Sequence, residues 1–261
     1  MNKNNSNKQS KKYFLEFNIQ ISNYNSINIK FDVKKNIYDL LSKSKQFIQT
    51  VTSNTVTISD SFFCPNTKIQ DETRYYFEVR DGELSKQKLV SGALNYNIPT
   101  IVLLLESPHI SEYRYNKQTK SIIPIRPANG MKPSEAGGAI DNYFDGVIQK
   151  IKLPDGNYYL KIVNPIQYQT SLVSIHDKPL SGFKKTLRNK VWLNIWEYQD
   201  SDGNFIFQDE FINRIKSYNP YLIINACTKQ LKNNVSKLLQ MNSYLYKEVN
   251  HPAYNWCRRR Y

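Results

Sequence analysis

The sequence contains few cysteines, and their spacing argues against a disulfide framework or a structural metal. Its three cysteines, Cys64, Cys227 and Cys257, are widely separated and form no Cys-x-x-Cys pair. An odd number spaced in this way disfavours disulfide pairing and a zinc site, and a four-cysteine iron–sulfur cluster is excluded within one chain. We therefore expect no structural metal and a reducing, cytoplasmic setting.

Long hydrophobic runs are also lacking. The longest aliphatic run, Ile101 to Leu105, is too short to span a bilayer, and the basic start MNKNNSNKQSKK is not followed by the apolar stretch of a secretory signal. The chain has no phosphate-binding loop ending in Gly-Lys-Ser/Thr and no Gly-x-Ser-x-Gly elbow. These absences predict a soluble protein with no membrane partner, and they disfavour P-loop nucleotide hydrolases and serine hydrolases.

Positive charge is what the chain has in excess. Its 261 residues include 36 Lys and Arg against 22 Asp and Glu, a formal net charge of +14. A surplus of this size favours a polyanionic partner such as nucleic acid. Charge alone leaves an anionic membrane surface open as an alternative, but the partner that we predict is nucleic acid and not a membrane.

The hydrophobic pattern divides the chain into three parts. Residues 1–12 are polar and have almost nothing to bury, which predicts a disordered head. Residues 13–97 alternate apolar and polar positions in several stretches, as at Ile27, Ile29 and Phe31, and predict a small α+β appendage. Residues 98–261 form the third part and the main domain.

In the third part, short apolar runs are separated by helix-compatible stretches, which is typical of a parallel α/β sheet. We predict an α/β domain with a four-stranded, mainly parallel sheet flanked by helices. One helix is expected after Thr228 and another over Ala139 to Ile151. The predicted strands are Ile101 to Leu105, Tyr158 to Val163, Tyr221 to Ile224 and Leu245 to Val249.

Polar residues follow each of these runs. Glu106, Asn164, Asn225 and Asn250-His251 come directly after the four predicted strands. Each has a plain structural alternative, since carboxylates cap helices and Asn-Pro or His-Pro steps make turns. Because ligands of open parallel sheets bind beyond the carboxyl ends of the strands, we expect these residues to converge on one site.

These segments resemble, in order, the motifs of the uracil-DNA glycosylase superfamily over roughly residues 98 to 257. Leu105 to His109 is similar to that family's Gly-Glu-Ala-Pro-Gly motif, and Ile125 to Gly130 followed by Gly137-Gly138 is similar to its Gly-Arg-Pro-Phe and Ala-Gly segment. Asn164 matches the asparagine that reads the base, and His251-Pro252-Ala253 matches the closing His-Pro-Ser. The flavour of the motifs further resembles a bacterial offshoot associated with phage defence, which excises glucosylated hydroxymethylcytosine from phage DNA.

The resemblance implies a monofunctional DNA glycosylase that leaves an abasic site and needs no cofactor. Breaking an N-glycosidic bond builds positive charge on the sugar and negative charge on the base, which assigns Glu106 to the sugar and His251 to the pyrimidine O2. Ala128 stands where an aromatic residue usually stacks on uracil, so a bulkier base is expected. The base pocket is predicted to contain Ser107, Pro108, His109, Ala128, Asn129, Asn164, Gln167 and Tyr168.

A flipped base leaves a gap for a side chain to fill, and in the family that this chain resembles the residues just after the His-Pro step enter the DNA. The resemblance therefore implies that the chain after His251 contacts DNA. The candidates are Tyr254, Asn255, Trp256, Arg258, Arg259 and Arg260. The alternative is a core tryptophan with a solvated basic tail. A second basic cluster, Lys184, Lys185, Arg188 and Lys190, is interpreted as a solvated helix face.

Other functions compete with this interpretation. The first motif departs from the family's pattern, because Leu105 stands where the family has glycine. This departure and the charge of +14 also fit a catalytically inactive nucleic-acid-binding module on the same fold. A glycosylase for uracil or another damaged base is a further alternative. A metal-dependent nuclease has little support because no cluster of carboxylates has the character of a metal site. A monomer is favoured, and the partner in every version is DNA or another nucleic acid.

Overall fold

The structure is a computed structural model that describes residues 11–21, 25–44, 47–116, 118–119, 121–172 and 184–261. The predicted disordered head 1–12 lies almost wholly outside the described residues. The chain divides into two compact units, Met1–Pro65 and Asn66–Tyr261. This division falls earlier in the chain than the predicted boundary between residues 97 and 98, so residues 66–97 belong to the second unit.

The first unit is a four-stranded sheet with one short helix. Its strand order is β2-β1-β4-β3, in which β1 pairs antiparallel with β2 and parallel with β4. Strand β2 buries every second residue, as its alternating sequence predicts. The elements are β1 Tyr13–Gln20, β2 Ser26–Val33, α1 Lys35–Leu41, β3 Ile48–Val51 and β4 Thr55–Ile58.

The second unit contains the remaining elements. They are β5 Glu72–Arg80, β6 Glu83–Leu89, β7 Thr100–Leu104, β8 Tyr113–Asn116, β9 Ser121–Pro124, α2 Ala136–Ile151, β10 Gly156–Val163, α3 Lys184–Trp196, α4 Ile206–Tyr218, β11 Pro220–Asn225, α5 Lys229–Met241, β12 Tyr246–Glu248 and α6 Pro252–Asn255. The predicted helices after Thr228 and over Ala139 to Ile151 are confirmed as α5 and α2.

The central sheet of the second unit is mixed, and the prediction of a four-stranded, mainly parallel sheet is wrong. In the described residues the strand order is β12-β11-β7-β10-β5-β6. The four predicted runs form the adjacent parallel strands β12, β11, β7 and β10, but β5 and β6 extend the sheet with antiparallel pairing. An alternating pattern identifies the buried face of a strand but not the strand with which it pairs. For this reason the sequence places the residues of β5 and β6 in the appendage, whereas the structure places them in the central sheet.

Aromatic packing fixes β5 against β10. Tyr158 of β10 lies opposite Phe77 of β5, and their rings stack with centroids 5.5 Å apart. Phe77 also meets Phe144 of α2 edge to face at 5.4 Å. The antiparallel extension is therefore part of the same hydrophobic core as the parallel strands.

The parallel strands point their carboxyl ends to one edge of the sheet. Glu106, Asn164 and His251 follow β7, β10 and β12 at this edge. Among the described helices, none combines the length and the apolar character needed to cross a bilayer.

Candidate active site

A pocket of about 490 Å³ opens at the carboxyl edge of the parallel strands. Its wall combines the segment after β7, the start of α2, one face of α3 and the turn that leads into α6. Seven of the sequence-predicted residues line it: Glu106, Ser107, Pro108, His109, Ala128, His251 and Asn255. The predicted first and last motifs therefore meet, although 145 positions separate Glu106 from His251 along the chain.

Glu106 is buried and is held by one cation and one backbone donor. Its Oε1 lies 2.7 Å from Nη1 of Arg188, and its Oε2 accepts a hydrogen bond of 3.2 Å from the backbone N–H of Thr228. Thr228 is the residue that precedes α5, so the carboxylate also lies at the positive end of that helix dipole. A guanidinium, a backbone donor and a helix N-terminus are the surroundings that suit an ionised carboxylate.

His251 precedes α6 and is held in one tautomer. Its Nδ1 accepts a hydrogen bond of 3.3 Å from the backbone N–H of Ala253. In the neutral ring the proton is then on Nε2, which leaves Nε2–H as the donor. Loss of solvent lowers the pKa of His251, as do the charges of Arg188 and Lys232, while Glu106 opposes them. The pocket therefore contains a neutral imidazole whose Nε2–H has no partner in the described part of the chain.

Helix α3 contributes to the site in a way that the sequence interpretation missed. Lys185 and Arg188 both line the pocket. Lys185 is exposed, as a solvated basic face requires, but that expectation is wrong for Arg188, which is partly buried and paired with Glu106. Trp192, one turn after Arg188, is fully buried and donates from Nε1 to the backbone carbonyl of Glu106 at 2.9 Å. Arg188 and Trp192 are four residues apart, so they lie on the same face of α3. A large apolar residue at this spacing from an arginine is the sequence signal that could have indicated a partly buried face.

The loop before α2 forms a second wall. Ala128 lines the pocket, where the resemblance places it. Its backbone is left-handed, with φ +47°. Buried Arg74 fixes the loop by donating to the backbone carbonyls of Pro127 and Ala128. Asn129 does not line the pocket. It donates to the Ser111 carbonyl at 2.8 Å, which joins the two pocket loops.

Gly137 is expected to be indispensable for this wall. A Cβ added there would lie 2.1 Å from the Ala128 carbonyl oxygen and 2.4 Å from that of Gly130, which are backbone atoms that cannot rotate away. Gly137→Ala should therefore destabilise the fold by about 1–3 kcal/mol through overpacking. Chemical denaturation measures the effect, with Gln149→Ala on the exposed face of α2 as the control. Equal stability of the two variants would show that the loop shifts freely.

Glu112 is a pocket residue that received no role from its sequence position. It is 2 % exposed and lines the pocket, and its Oε2 has no hydrogen-bond partner among the residues that the structure describes. Burial raises the pKa of Glu112 to about 8, opposed by backbone N–H groups of His109 and Ala128 and by the charge of Arg74. Only its burial distinguishes it from a surface glutamate, and that burial results from the tertiary fold.

Three predicted base-binding residues lie behind the pocket. Asn164 is 1 % exposed, Gln167 donates to Asp71 at 3.3 Å, and the Tyr168 ring lies 5.3 Å from Nζ of Lys68. None of the three lines the pocket. The expectation that they contact the base directly is not met, because the turn after β10 folds inward onto α4 rather than toward the pocket mouth.

The expected DNA-contacting segment is largely an anchor. Trp256 is fully buried, stacks on Phe144 at 6.3 Å and donates to the Asn250 carbonyl at 2.8 Å, so its assignment as a wedge is wrong. A bulky ring following a four-residue helix is driven into the core. Asn255 donates to the His251 carbonyl at 2.8 Å. The Tyr254 side chain lies outside the described residues, and Arg258, Arg259 and Arg260 are exposed.

Neither a metal-binding cluster nor a similar protein of known function helps to identify the site. Within the described ranges, no group of three or more His, Cys, Asp or Glu side chains could hold a metal ion. No protein-family model, curated protein or solved structure matches the chain. Its function is therefore argued from the chemistry of the pocket.

Proposed function

We propose that the chain is a monofunctional DNA glycosylase that hydrolyses the N-glycosidic bond of a modified pyrimidine. One observation carries the proposal: the Glu106 carboxylate, which is paired with Arg188, and the neutral imidazole donor of His251 line the same pocket. The two groups match the two charges that develop when the bond breaks. The motif order noted in the sequence supports the same assignment.

The reaction uses the two groups on opposite sides of the breaking bond. As the bond between C1′ and N1 lengthens, the carboxylate of Glu106 stabilises positive charge on the sugar and orients the water that attacks C1′. Nε2–H of His251 donates to the pyrimidine O2, where negative charge accumulates. The departing base takes up a proton and the sugar keeps the hydroxyl of water, so the products are a free base and an abasic site.

The size of the pocket favours a substituted base. Its volume of about 490 Å³ lies in the range of roughly 300–1,000 Å³ that holds drug-sized ligands, more than a bare pyrimidine ring needs. Ala128 leaves space where the resembling family stacks an aromatic ring. Together with the resemblance to the phage-defence offshoot, this space leads us to propose glucosylated hydroxymethylcytosine of phage DNA as the substrate and anti-phage defence as the role.

Contacts to DNA are proposed from the charges around the pocket. Lys185 is exposed at the pocket, and Arg258, Arg259 and Arg260 are exposed just after α6. Cations beside a base pocket bind phosphates and orient the duplex without reading sequence. Affinity for DNA is then expected to fall steeply with added salt.

The direct test is to incubate the protein with matched DNAs that contain cytosine, uracil, hydroxymethylcytosine or its glucosylated form. Mass spectrometry identifies any released base, and an aldehyde-reactive probe counts abasic sites. Release of the glucosylated base with an equal number of abasic sites is the expected result. No release from any of the four DNAs would overturn the proposal.

His251→Ala is expected to slow base release by about 100- to 1,000-fold, as for the loss of one donor to a developing anion. Because its pKa is lowered from 6.5, His251 is neutral at pH 7. Protonation of Nδ1 would break the hydrogen bond from Ala253 that orients the ring, so the rate should fall only at a pH below 6.5. Single-turnover rates across pH measure both effects. If the rate of His251→Ala fell at low pH in the same way as the wild-type rate, a group other than His251 would cause that fall.

A second candidate function is a nucleic-acid-binding module without catalysis. The observation in its favour is that Asn164, the expected base reader, lies outside the pocket while Glu106 is already paired with Arg188. Salt-sensitive DNA binding with no abasic product would support this function.

A further inference from the structure

The proposed reaction needs a side chain that fills the gap left by a flipped base. A base in duplex DNA must leave the stack to reach the pocket, and proteins that open a stack in this way insert apolar side chains into it. Trp256, the aromatic residue that the sequence suggests for this task, is buried in the core. The side chain required is therefore another one that is apolar, exposed and close to the pocket mouth.

Met131 meets these three conditions. It directly follows Gly130, which lines the pocket, and Ser134 lines the pocket three residues later. Because consecutive Cα atoms are about 3.8 Å apart, Met131 lies at the pocket rim, and its side chain is 85 % exposed. Tyr96 and Met241 are also strongly exposed, but they precede the parallel strands β7 and β12 and lie toward the opposite edge of the sheet.

The loop that carries Met131 is fixed against the start of α2. The backbone N–H of Gly138 donates to the Gly130 carbonyl at 2.7 Å, and the backbone N–H of Lys132 donates to Oε2 of Glu135 at 3.0 Å. A Cβ added at Gly138 would lie 2.4 Å from the carbonyl oxygens of Met131 and Lys132, so the backbones of helix and loop are in direct contact. The exposed thioether is therefore held on a rigid backbone, which lowers the entropy that its insertion costs.

Exposed cations accompany the methionine on this loop. Lys132 directly follows Met131, and Arg126 lies earlier in the same segment, where its Nε donates to Oδ1 of Asn129 at 3.1 Å. An apolar protein surface placed over this rim would bury both charges at a high cost. Phosphates on either side of an opened base step would instead pair with them, so the chemistry of the rim fits DNA.

We propose that Met131 is the side chain that enters the duplex as the target base leaves the stack, while Lys132 and Arg126 pair with the adjacent phosphates. Methionine suits this task because its unbranched, polarisable chain adapts to the faces of the neighbouring bases. The inference rests on the proposed function, since it names how this pocket receives a base. It adds that the substrate is double-stranded DNA.

Comparison of duplex with single-stranded DNA separates this role from a general effect on the pocket. Met131→Ala should slow single-turnover base release from duplex DNA by about 10- to 100-fold, the rate equivalent of the apolar contact of one methionine. Release from the same strand without its complement should keep the wild-type rate, because no base pair has to open. Met241→Ala removes another exposed methionine, at the end of α5, and should keep both rates.

The rates also contain the results that would overturn the inference. Equal duplex rates in Met131→Ala and Met241→Ala would show that Met131 is not needed. An equal loss on both forms of DNA would mean that the change damages the pocket, and a wild-type protein that acts on the single strand alone would have no gap to fill. A loss of duplex activity in Tyr254→Ala with none in Met131→Ala would assign the insertion to Tyr254.

A fluorescence measurement tests the inference without base release. Duplexes carry 2-aminopurine beside one 2′-fluoroarabino nucleotide of glucosylated hydroxymethylcytosine, whose glycosidic bond resists hydrolysis. Saturating amounts of the wild type and of Met241→Ala should raise the fluorescence equally by opening the stack, and Met131→Ala should raise it less.

The two measurements distinguish failure of the inference from failure of the proposed function. If the fluorescence depends on Met131 while no base is released from any DNA, the glycosylase function is overturned and the role of Met131 stands. No rise with the wild type, or a full rise with Met131→Ala, overturns the inference whether or not base is released.

Discussion

Glu106→Gln should lower the rate of base release by about 1,000-fold or more, within the range of general acid–base and electrostatic effects of one group. The amide keeps the size of the side chain but has no charge to stabilise the sugar and no basicity to orient water. Arg188 loses its ion pair, yet it keeps contacts with Asn189 and Thr228, so the fold should survive. Single-turnover base release at saturating protein measures the loss.

DNA affinity and folding provide the controls for this variant. Glu106→Gln should bind DNA at least as well as the wild type, because removing a negative charge near the pocket cannot weaken attraction to phosphates. Glu197→Gln, an exposed change just after α3, should release base at the wild-type rate. If Glu106→Gln were as active as Glu197→Gln, Glu106 would have no catalytic role.

Asp71→Ala should reduce the free energy of unfolding by about 3–5 kcal/mol, the cost of breaking a buried ion pair from one side. The Asp71 carboxylate accepts from the guanidinium of Arg214, from the Tyr218 hydroxyl at 2.8 Å and from Gln167 at 3.3 Å. Arg214 in turn donates to the carbonyls of Asn164 and Pro165 at 3.1 and 3.0 Å. The alanine variant leaves the arginine charge uncompensated and loosens the turn after β10.

Urea denaturation at pH 7 is the measurement for Asp71→Ala. Asp202→Ala removes a carboxylate from an exposed turn and should change stability by less than about 0.5 kcal/mol. A loss below about 1 kcal/mol in Asp71→Ala would mean that the network is solvated and contributes as surface pairs do.

The sequence predicts the parallel half of the sheet well, because buried parallel strands are continuous apolar runs. Such runs need no knowledge of the rest of the chain. The antiparallel half escapes prediction since β5 alternates like any half-buried strand, and its pairing with β10 depends on Phe77 meeting Tyr158 across the chain. Local periodicity contains no information on that contact.

The same division applies to the pocket. Glu106 and His251 are predictable because each closely follows a strand at the common edge. Glu112 is not, since its chemistry comes from burial by the loop around Ala128 and not from its neighbours in sequence. The prediction for Trp256 is wrong for the opposite reason. An aromatic residue next to arginines resembles a DNA wedge in the sequence, but the structure buries this indole in the core of the second unit.

The fastening of Trp256 has a consequence for the energetics of the reaction. Its indole closes a ring of residues through the Asn250 carbonyl, and Asn255 ties back to His251 inside that ring. The imidazole is thereby oriented when the chain folds, before any substrate arrives. The conformational entropy of the His251 side chain is therefore lost during folding and not during the reaction. Little reorganisation of this imidazole then contributes to the barrier for bond cleavage.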